Sequence, residues 1–172
     1  MFCYQCEMSS PDGCGSNGKQ IVGTCGKDEN LARLQDLMVF GVKGLTAYRG
    51  HAADFGADTS GIDATIAESM YFTLTNVNFN FDDHIAQLMK LGSAGVAGLG
   101  ALSDAHTAKL GVPTPVTVTQ NKAEGKAILV SGHDLDALKA LLEQSEGKGV
   151  NIYTHSEMLP AHGYPELTNI PT

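Results

Sequence analysis

The chain has 172 residues, 42% of them hydrophobic, which is enough for one large domain or two small ones with a real core. Eleven Lys and Arg against 19 Asp and Glu give a net charge of −8, which argues against binding to nucleic acid or to an anionic membrane surface. Because Gly, Lys or Arg interrupt the longest apolar stretches, we predict no membrane-spanning segment and a soluble, cytoplasmic protein.

All four cysteines of the chain lie within its first 25 residues: Cys3, Cys6, Cys14 and Cys25. Cys3 and Cys6 form a Cys-x-x-Cys pair, which lets two thiolates bind one centre from a single tight turn. Two further cysteines on a short loop can complete a site with four thiolates. Glycines surround them and supply the close backbone approach that a loop around such a centre needs.

Three interpretations of the cysteines compete. An iron–sulfur cluster held by four thiolates is the one that their spacing favours. A structural zinc site more often shows two Cys-x-x-Cys pairs. Disulfides are disfavoured, because no signal peptide precedes the cysteines and a reducing compartment is therefore expected.

Three amphipathic helices are predicted after the cysteines. The first begins after Asp28, which can cap it, and ends near Gly50. The second runs over residues 61–77, and the third begins at Asp82 or the residue after it. Gly41 and Gly44 of the first helix would let another element approach closely, and the glycines of the third helix, within residues 92–98, predict tight packing against its neighbours. Short connections between the helices predict a small bundle.

The pattern then changes to that of an α/β domain. Residues 113–126 read as a linker, with 116–119 as a candidate edge strand. The apolar run at residues 127–130 is typical of a strand buried on both faces. Asp134 can cap a following helix, and residues 150–154 form a second strand. The result is a βαβ unit, in which the two strands are parallel and the crossover is right-handed.

The predicted fold is therefore a mix of α+β and α/β structure. Residues 1–112 hold the cysteine loop and the helical bundle, and residues 113–126 form the linker. Residues 127–172 form a partial α/β domain of the Rossmann-like kind.

A second candidate site follows from the parallel strands. His133 lies just beyond the end of the first strand, and Glu157 lies just beyond the end of the second. Ligands of open α/β sheets bind at these ends, and neighbouring strands are only about 4.8 Å apart. An imidazole with a carboxylate suits iron. The alternatives are that His133 caps the helix and that Glu157 is a solvated loop acid.

The other histidines are interpreted without a direct role in binding. His155 and His162 are expected to support the second site or to lie on the surface. His51, His84 and His106 fall on or near predicted helices and are taken as structural.

These residues resemble one family closely, the hybrid-cluster proteins, also called prismane proteins or hydroxylamine reductases. The first stretch that carries the resemblance is residues 1–6, with Cys25-Gly26-Lys27 beyond it. The second is Leu34-Gln35-Asp36-Leu37 with Gly44, and the third joins residues 128–135 to 153–162. The short helical region resembles the subgroup that lacks a second helical insertion.

The resemblance implies two metal centres. The N-terminal cysteines would hold a cluster that passes electrons, [4Fe–4S] with [2Fe–2S] as the alternative. A hybrid iron–sulfur–oxygen cluster would be the catalytic centre, with His133 and Glu157 as two of its metal ligands. The implied reaction is the reduction of hydroxylamine to ammonia, with nitric oxide as a further substrate and a redox partner protein as electron donor.

The chain departs from the family pattern in three places. The gap between Cys14 and Cys25 is longer than usual, and Ser156 stands where a glycine is usual. The chain also stops soon after Glu157, whereas family members continue through more α/β structure.

These departures predict that the chain alone does not carry out the family's reaction. Every cysteine is committed to the N-terminal loop, so too few ligands remain for a hybrid cluster. We expect the remaining α/β structure to lie on a second chain or in a longer protein. The non-enzyme alternative is an electron-transfer or cluster-binding protein that keeps only the N-terminal cluster.

Overall fold

The computed structural model describes residues 1–14, 21–74 and 77–170. The chain divides into two compact units, one made of residues 1–50 and 58–100 and the other of residues 51–57 and 101–172. A helical bundle and a two-stranded parallel sheet confirm the predicted mix of helix and strand. The boundaries predicted at residues 112 and 126 stay a prediction.

A short antiparallel hairpin lies within the cysteine loop, and three helices follow it. The hairpin pairs β1 (Ser9–Ser10) with β2 (Gly13–Cys14). The helices are α1 (Glu29–Asp54), α2 (Ser60–Phe72) and α3 (Phe81–Leu110). Three helices were predicted here, and their existence is confirmed.

The helix ends differ from prediction where tertiary packing competes with local signals. The Asp28 carboxylate accepts a hydrogen bond from the Leu31 amide at 2.8 Å, so the predicted cap of α1 is confirmed. The predicted end of α1 near Gly50 is wrong, since the helix continues for four residues and places Ala52 in a fully buried position. An internal glycine costs a helix only about 1 kcal/mol, which burial readily offsets.

Helix α2 is shorter than predicted, because it ends at Phe72 rather than near residue 77. The Thr73 hydroxyl donates to the Met70 carbonyl at 2.7 Å and satisfies a carbonyl of the last turn. Residues 75 and 76, where the rest of the predicted helix falls, lie outside the described part of the chain.

The core of the bundle consists of Met38, Leu45, Ile62 and Leu91. Gly41 lies against Leu91, because a Cβ atom there would stand 2.7 Å from a Leu91 methyl group. The close approach predicted at Gly41 is confirmed. The tight packing predicted for α3 is confirmed at Gly98, where a Cβ atom would stand 3.1 Å from a Leu45 methyl group.

The same prediction fails at several other glycines of α1 and α3. Added Cβ atoms at Gly44, Gly92 and Gly95 would meet nothing within 4 Å. All three line an apolar groove of about 470 Å³ instead of packing against a helix. Small side chains here widen the groove, so tight packing is wrong for these positions.

Helix α3 is long and apolar enough, by length and composition, to cross a membrane. The glycines that were expected to interrupt this stretch lie inside the helix without breaking it. One such helix is weak evidence, because core helices of soluble proteins pass the same test. The absence of a membrane-spanning segment therefore stays a prediction.

The second unit contains the predicted βαβ arrangement. Strand β3 (Lys126–Ser131), helix α4 (Leu135–Ser145) and strand β4 (Val150–His155) follow one another, and the strands pair in parallel. The Asp134 carboxylate caps α4 by accepting hydrogen bonds at 3.0 Å from two amides of its first turn. A short 3-10 helix (Ser156–Gly163) follows β4. The predicted cap and the parallel pairing are both confirmed.

The core of this unit lies on one side of the sheet. It is formed by Leu135, Leu138 and Leu142 of α4 together with Leu110 and Met158. Apolar residues of the two strands, Val130 and Ile152, pack against it.

Two predictions about strands are wrong. Leu129 is 70% exposed and Ile128 is 42% exposed, so β3 is not buried on both faces. The apolar run at residues 127–130 is typical of a strand that is buried on both faces, but the described residues provide no layer to cover the second face of β3. Residues 116–119 form no strand, since no described strand pairs with them, and Val116 and Val118 are exposed.

Candidate metal centres

Close backbone contacts build the start of the cysteine loop. The Met1 carbonyl accepts hydrogen bonds from the amides of Cys3 at 3.0 Å and of Cys14 at 2.9 Å. Gly13 makes this possible, because its φ is 92° and a Cβ atom there would stand 2.3 Å from the Met1 oxygen. Cys3 and Cys14 are thereby buried together with Met1 and Ala32.

A separate tight turn presents Cys25. The Gly26 amide donates to the Gly23 carbonyl, and the Gly23 amide donates to the Lys27 carbonyl, both at 2.8 Å. Gly26 has a φ of 94°, a conformation that favours glycine. The backbone of this turn therefore fixes the position from which the Cys25 side chain projects.

The four cysteines line one cavity of about 360 Å³. Cys3 and Cys14 are buried, Cys25 is half-buried and Cys6 is exposed, and all four are free thiols. Within the described ranges, no three His, Cys, Asp or Glu side chains come close enough to hold a single metal ion. The gap between Cys14 and Cys25, which we expect from the sequence to be longer than usual, includes residues 15–20, which lie outside the described part.

The donor set and the cavity fit an iron–sulfur cluster. Thiolates are the usual ligands of such clusters, and in a [4Fe–4S] cluster each of the four binds a different iron atom. The sulfur atoms therefore stay farther apart than they would around one ion. A cavity with soft sulfur donors on its wall is the surrounding that such a group needs.

A buried lysine borders this cavity. Lys27 is only 6% exposed, and its ammonium donates to the side-chain oxygens of Gln5 at 2.5 Å and Gln35 at 2.7 Å. Sequence reasoning did not single out these three residues, although all three lie in the stretches that carry the family resemblance. The sequence features that could have indicated them are a lysine beside the cysteine turn and two glutamines among apolar residues.

The hydrogen bonds continue behind Gln35 into the bundle. Its amide nitrogen donates to the Phe72 carbonyl at 3.1 Å and lies 3.2 Å from His84 Nε2. His84 Nδ1 lies 2.7 Å from the Asn80 carbonyl, which only accepts. Nδ1 therefore carries the proton and Nε2 accepts from Gln35. The structural role predicted for His84 agrees with its complete burial.

The second candidate site lies where β3 and β4 end. Ser131 and His155 pair at the last position of the register, so both strands end at the same edge. His133 Nε2 lies 3.7 Å from Glu157 Oε2, which confirms that the two side chains converge. Asp134, and not His133, caps α4. Metal binding by His133 and Glu157 stays a prediction.

This pair is far more open than the cysteine cavity. The His133 and Glu157 side chains are 64% and 59% exposed. Among the described residues, no third His, Cys, Asp or Glu joins them in a group that could hold a metal ion. Two exposed donors offer a metal centre an incomplete set of ligands.

Ser156 precedes Glu157 in a left-handed conformation with a φ of 51°. It is the only residue other than glycine with a positive φ in the described ranges. This conformation costs a serine about 1–2 kcal/mol, whereas a glycine adopts it freely. The backbone of the loop therefore accounts for the glycine that is usual at this position.

Two further histidines near this edge bind strand hydroxyls. His162 Nε2 lies 2.7 Å from Thr154 Oγ1, and His155 Nδ1 lies 3.4 Å from Ser131 Oγ. The His162 contact ties the 3-10 helix back to β4, and the His155 contact joins the ends of β3 and β4. They are consistent with the supporting role predicted for both histidines.

The Prismane/CO dehydrogenase family model matches residues 1–83 and 53–171 of this chain. The chain is 46% identical to the hydroxylamine reductase of Moorella thermoacetica over 171 residues, which are 99% of this chain and 39% of that protein. It is 45% identical to the hydroxylamine reductase of Thermotoga maritima over 167 residues, 97% of this chain and 38% of that protein. For the hydroxylamine reductase of Methanothermobacter thermautotrophicus the identity is 43% over 171 residues, 99% of this chain and 39% of that protein. The chain therefore spans about two fifths of the length of these curated relatives.

Proposed function

Because the chain belongs to the Prismane/CO dehydrogenase family, we propose that it is the N-terminal portion of an iron–sulfur oxidoreductase that reduces hydroxylamine to ammonia. The observation that carries the proposal is the convergence of all four thiols on one cavity. Nitric oxide is proposed as a further substrate, and the protein is proposed to be cytoplasmic.

The cysteine cavity is the proposed electron-transfer site. Cys3 and Cys14 supply thiolates from the buried side of the cavity, and Cys6 and Cys25 supply them from its more open side. When bound there, a [4Fe–4S] cluster accepts and passes single electrons. Exposure of Cys6 gives a redox partner protein a short path to this site.

His133 and Glu157 are proposed as two ligands of the catalytic hybrid cluster. Their nitrogen and oxygen atoms converge at the edge of the sheet where ligands of α/β proteins bind. A hybrid cluster held there would supply two electrons to hydroxylamine, which with two protons would give ammonia and water. The large exposure of both side chains leaves room for ligands from other α/β structure.

The chain by itself is proposed to be inactive in this reaction. Its cysteines all line the N-terminal cavity, so none of them is placed to join His133 and Glu157. The exposed apolar face of β3 supports the same conclusion, because Leu129 needs a covering layer that the relatives' additional length can provide. A second chain could supply that layer equally well.

A non-catalytic electron-transfer or cluster-binding protein is the second candidate function. It is favoured by the contrast between the cysteine cavity, where two of the four thiols are buried, and the exposed, two-donor site. Such a protein keeps the first cluster and never assembles the second.

Two variants of the anaerobically prepared chain test the assignment of sites. Cys14→Ser should abolish the visible absorption and the bound iron of the N-terminal cluster, whereas His133→Ala should leave both unchanged. Full cluster content in Cys14→Ser would refute the ligand assignment.

An assay with a strong artificial electron donor separates the two candidate functions. The chain alone should show no hydroxylamine turnover, and a longer protein that contains it should show turnover that His133→Ala abolishes. Robust turnover by the chain with no other polypeptide present would contradict its proposed incompleteness. Absence of turnover in the longer protein would favour the electron-transfer function.

A further inference from the structure

Lys27 combines three properties that the proposed electron-transfer role leaves unexplained. It is the only basic side chain among the described residues that line the cysteine cavity. It is 6% exposed, and in the described part of the chain no carboxylate forms an ion pair with it. Its ammonium has only the neutral oxygens of Gln5 and Gln35 as hydrogen-bond acceptors.

A buried ammonium without an anionic partner is expensive, because burial removes its hydration and neutral amides replace it only in part. The group that this cavity fits is anionic, since four thiolates outweigh the positive charge of a cluster's iron–sulfur core. A bound cluster would therefore provide the charge that Lys27 lacks.

The two glutamines can present only their oxygens to Lys27. The Gln5 amide nitrogen already donates to the Ala32 carbonyl at 2.8 Å and to an Asp36 carboxylate oxygen at 2.7 Å. The Gln35 amide nitrogen is likewise occupied by Phe72 and His84. Both amides are thus locked in one orientation, and together they fix the ammonium of a lysine that lines the cavity.

We propose that Lys27 is the fixed counter-cation of the cysteine-bound cluster and raises its reduction potential, with Gln5 and Gln35 as positioning residues. The proposal rests on the proposed function, because it requires a cluster at the four cysteines. The step is the uptake of one electron from the redox partner, in which no bond forms or breaks. Reduction adds one negative charge, and a nearby cation in a poorly hydrated site favours that charge.

The test is an anaerobic redox titration of the cluster in the 172-residue chain, followed by electron paramagnetic resonance. Lys27→Met removes the cation at similar volume. Gln35→Glu keeps the lysine and places a carboxylate where the amide oxygen now lies 2.7 Å from the ammonium. Lys43→Met is the matched control, because Lys43 is exposed and contacts only the Phe40 ring among described partners.

Both Lys27→Met and Gln35→Glu should lower the ratio of reduced to oxidised cluster at least tenfold at a fixed potential. A tenfold change corresponds to a decrease of 59 mV in the midpoint potential of a one-electron couple. Lys43→Met should keep the wild-type ratio. A Gln35→Glu variant whose cluster keeps the wild-type midpoint potential overturns the proposal, whatever Lys27→Met shows. Gln35→Glu also provides the test if Lys27→Met assembles no cluster.

Iron and sulfide content, measured on the same samples, separates this proposal from the proposed function. A wild-type chain that binds no iron overturns both. A wild-type chain with a full cluster whose midpoint is insensitive to Gln35→Glu overturns the role of Lys27 alone.

Discussion

The cysteine cavity and the His133–Glu157 edge differ in how much of their surroundings this chain supplies. Around the cavity, two of the four thiols are buried, and a network of hydrogen bonds leads from Lys27 through Gln35 to His84. At the sheet edge, two side chains meet at 3.7 Å with more than half of each exposed.

The difference indicates which site can be complete within these residues. A site whose ligands and supporting groups come from one compact unit is organised before any metal binds. A metal site built on two exposed loop residues would need its remaining ligands, and its exclusion of water, from other structure. The predictions that follow test this contrast by disturbing each site in turn.

The largest expected effect is the loss of the Gln35 amide. Gln35→Leu leaves the buried Lys27 with one acceptor fewer and removes the donor to His84, so the chain should lose about 3 kcal/mol of unfolding free energy. Urea denaturation measures this loss. Gln144→Leu, at an exposed position of α4, is the control and should change stability by less than about 0.5 kcal/mol. Equal effects in both variants would show that the Lys27–Gln35–His84 network does not stabilise the folded chain.

A smaller effect is expected beside the second site. Asp134→Ala removes the cap that satisfies two amides at the start of α4, which should cost about 1 kcal/mol. The cluster content at the cysteine cavity should not change. Asp104→Ala, at an exposed position inside α3, is the control and should not destabilise the chain. If Asp134→Ala also removes the cluster, the two sites are not independent.

The smallest effect is a gain in stability. Ser156→Gly relieves the left-handed conformation at φ 51°, and the greater freedom of glycine in the unfolded chain offsets part of that gain. The net increase in unfolding free energy should be about 0.5 kcal/mol. Ser93→Gly, inside α3, should have the opposite sign, because glycine there only weakens a helix. A loss of stability in Ser156→Gly would mean that the serine is not strained.

Local signals were sufficient to predict the elements of the second site. An apolar run, a capping aspartate and a second run imply parallel strands, and parallel strands place His133 near Glu157. The exposure of Leu129 could not be predicted in the same way. Leu129 is apolar, as is typical of a strand in a sheet covered on both faces. Residues 126–155 do not indicate which part of the structure would cover it.

The hydrogen-bond network of Lys27, Gln35 and His84 could not be predicted from the sequence, for a different reason. Its hydrogen bonds join residues that are 8 and 49 positions apart, and such pairs leave no periodic trace in the sequence. The continuation of α1 past Gly50 is similar, because it depends on the burial of Ala52 in the folded chain. Both features depend on tertiary contacts that override local preference.

The most direct test of the central claim is the metal content of the wild-type chain, purified without oxygen and without added metal. A cubane cluster at the four cysteines predicts about four iron and about four acid-labile sulfide per chain, with no stoichiometric zinc. Stoichiometric zinc without iron or sulfide would contradict the account, because the cavity would then hold a structural zinc site and not an electron-transfer centre.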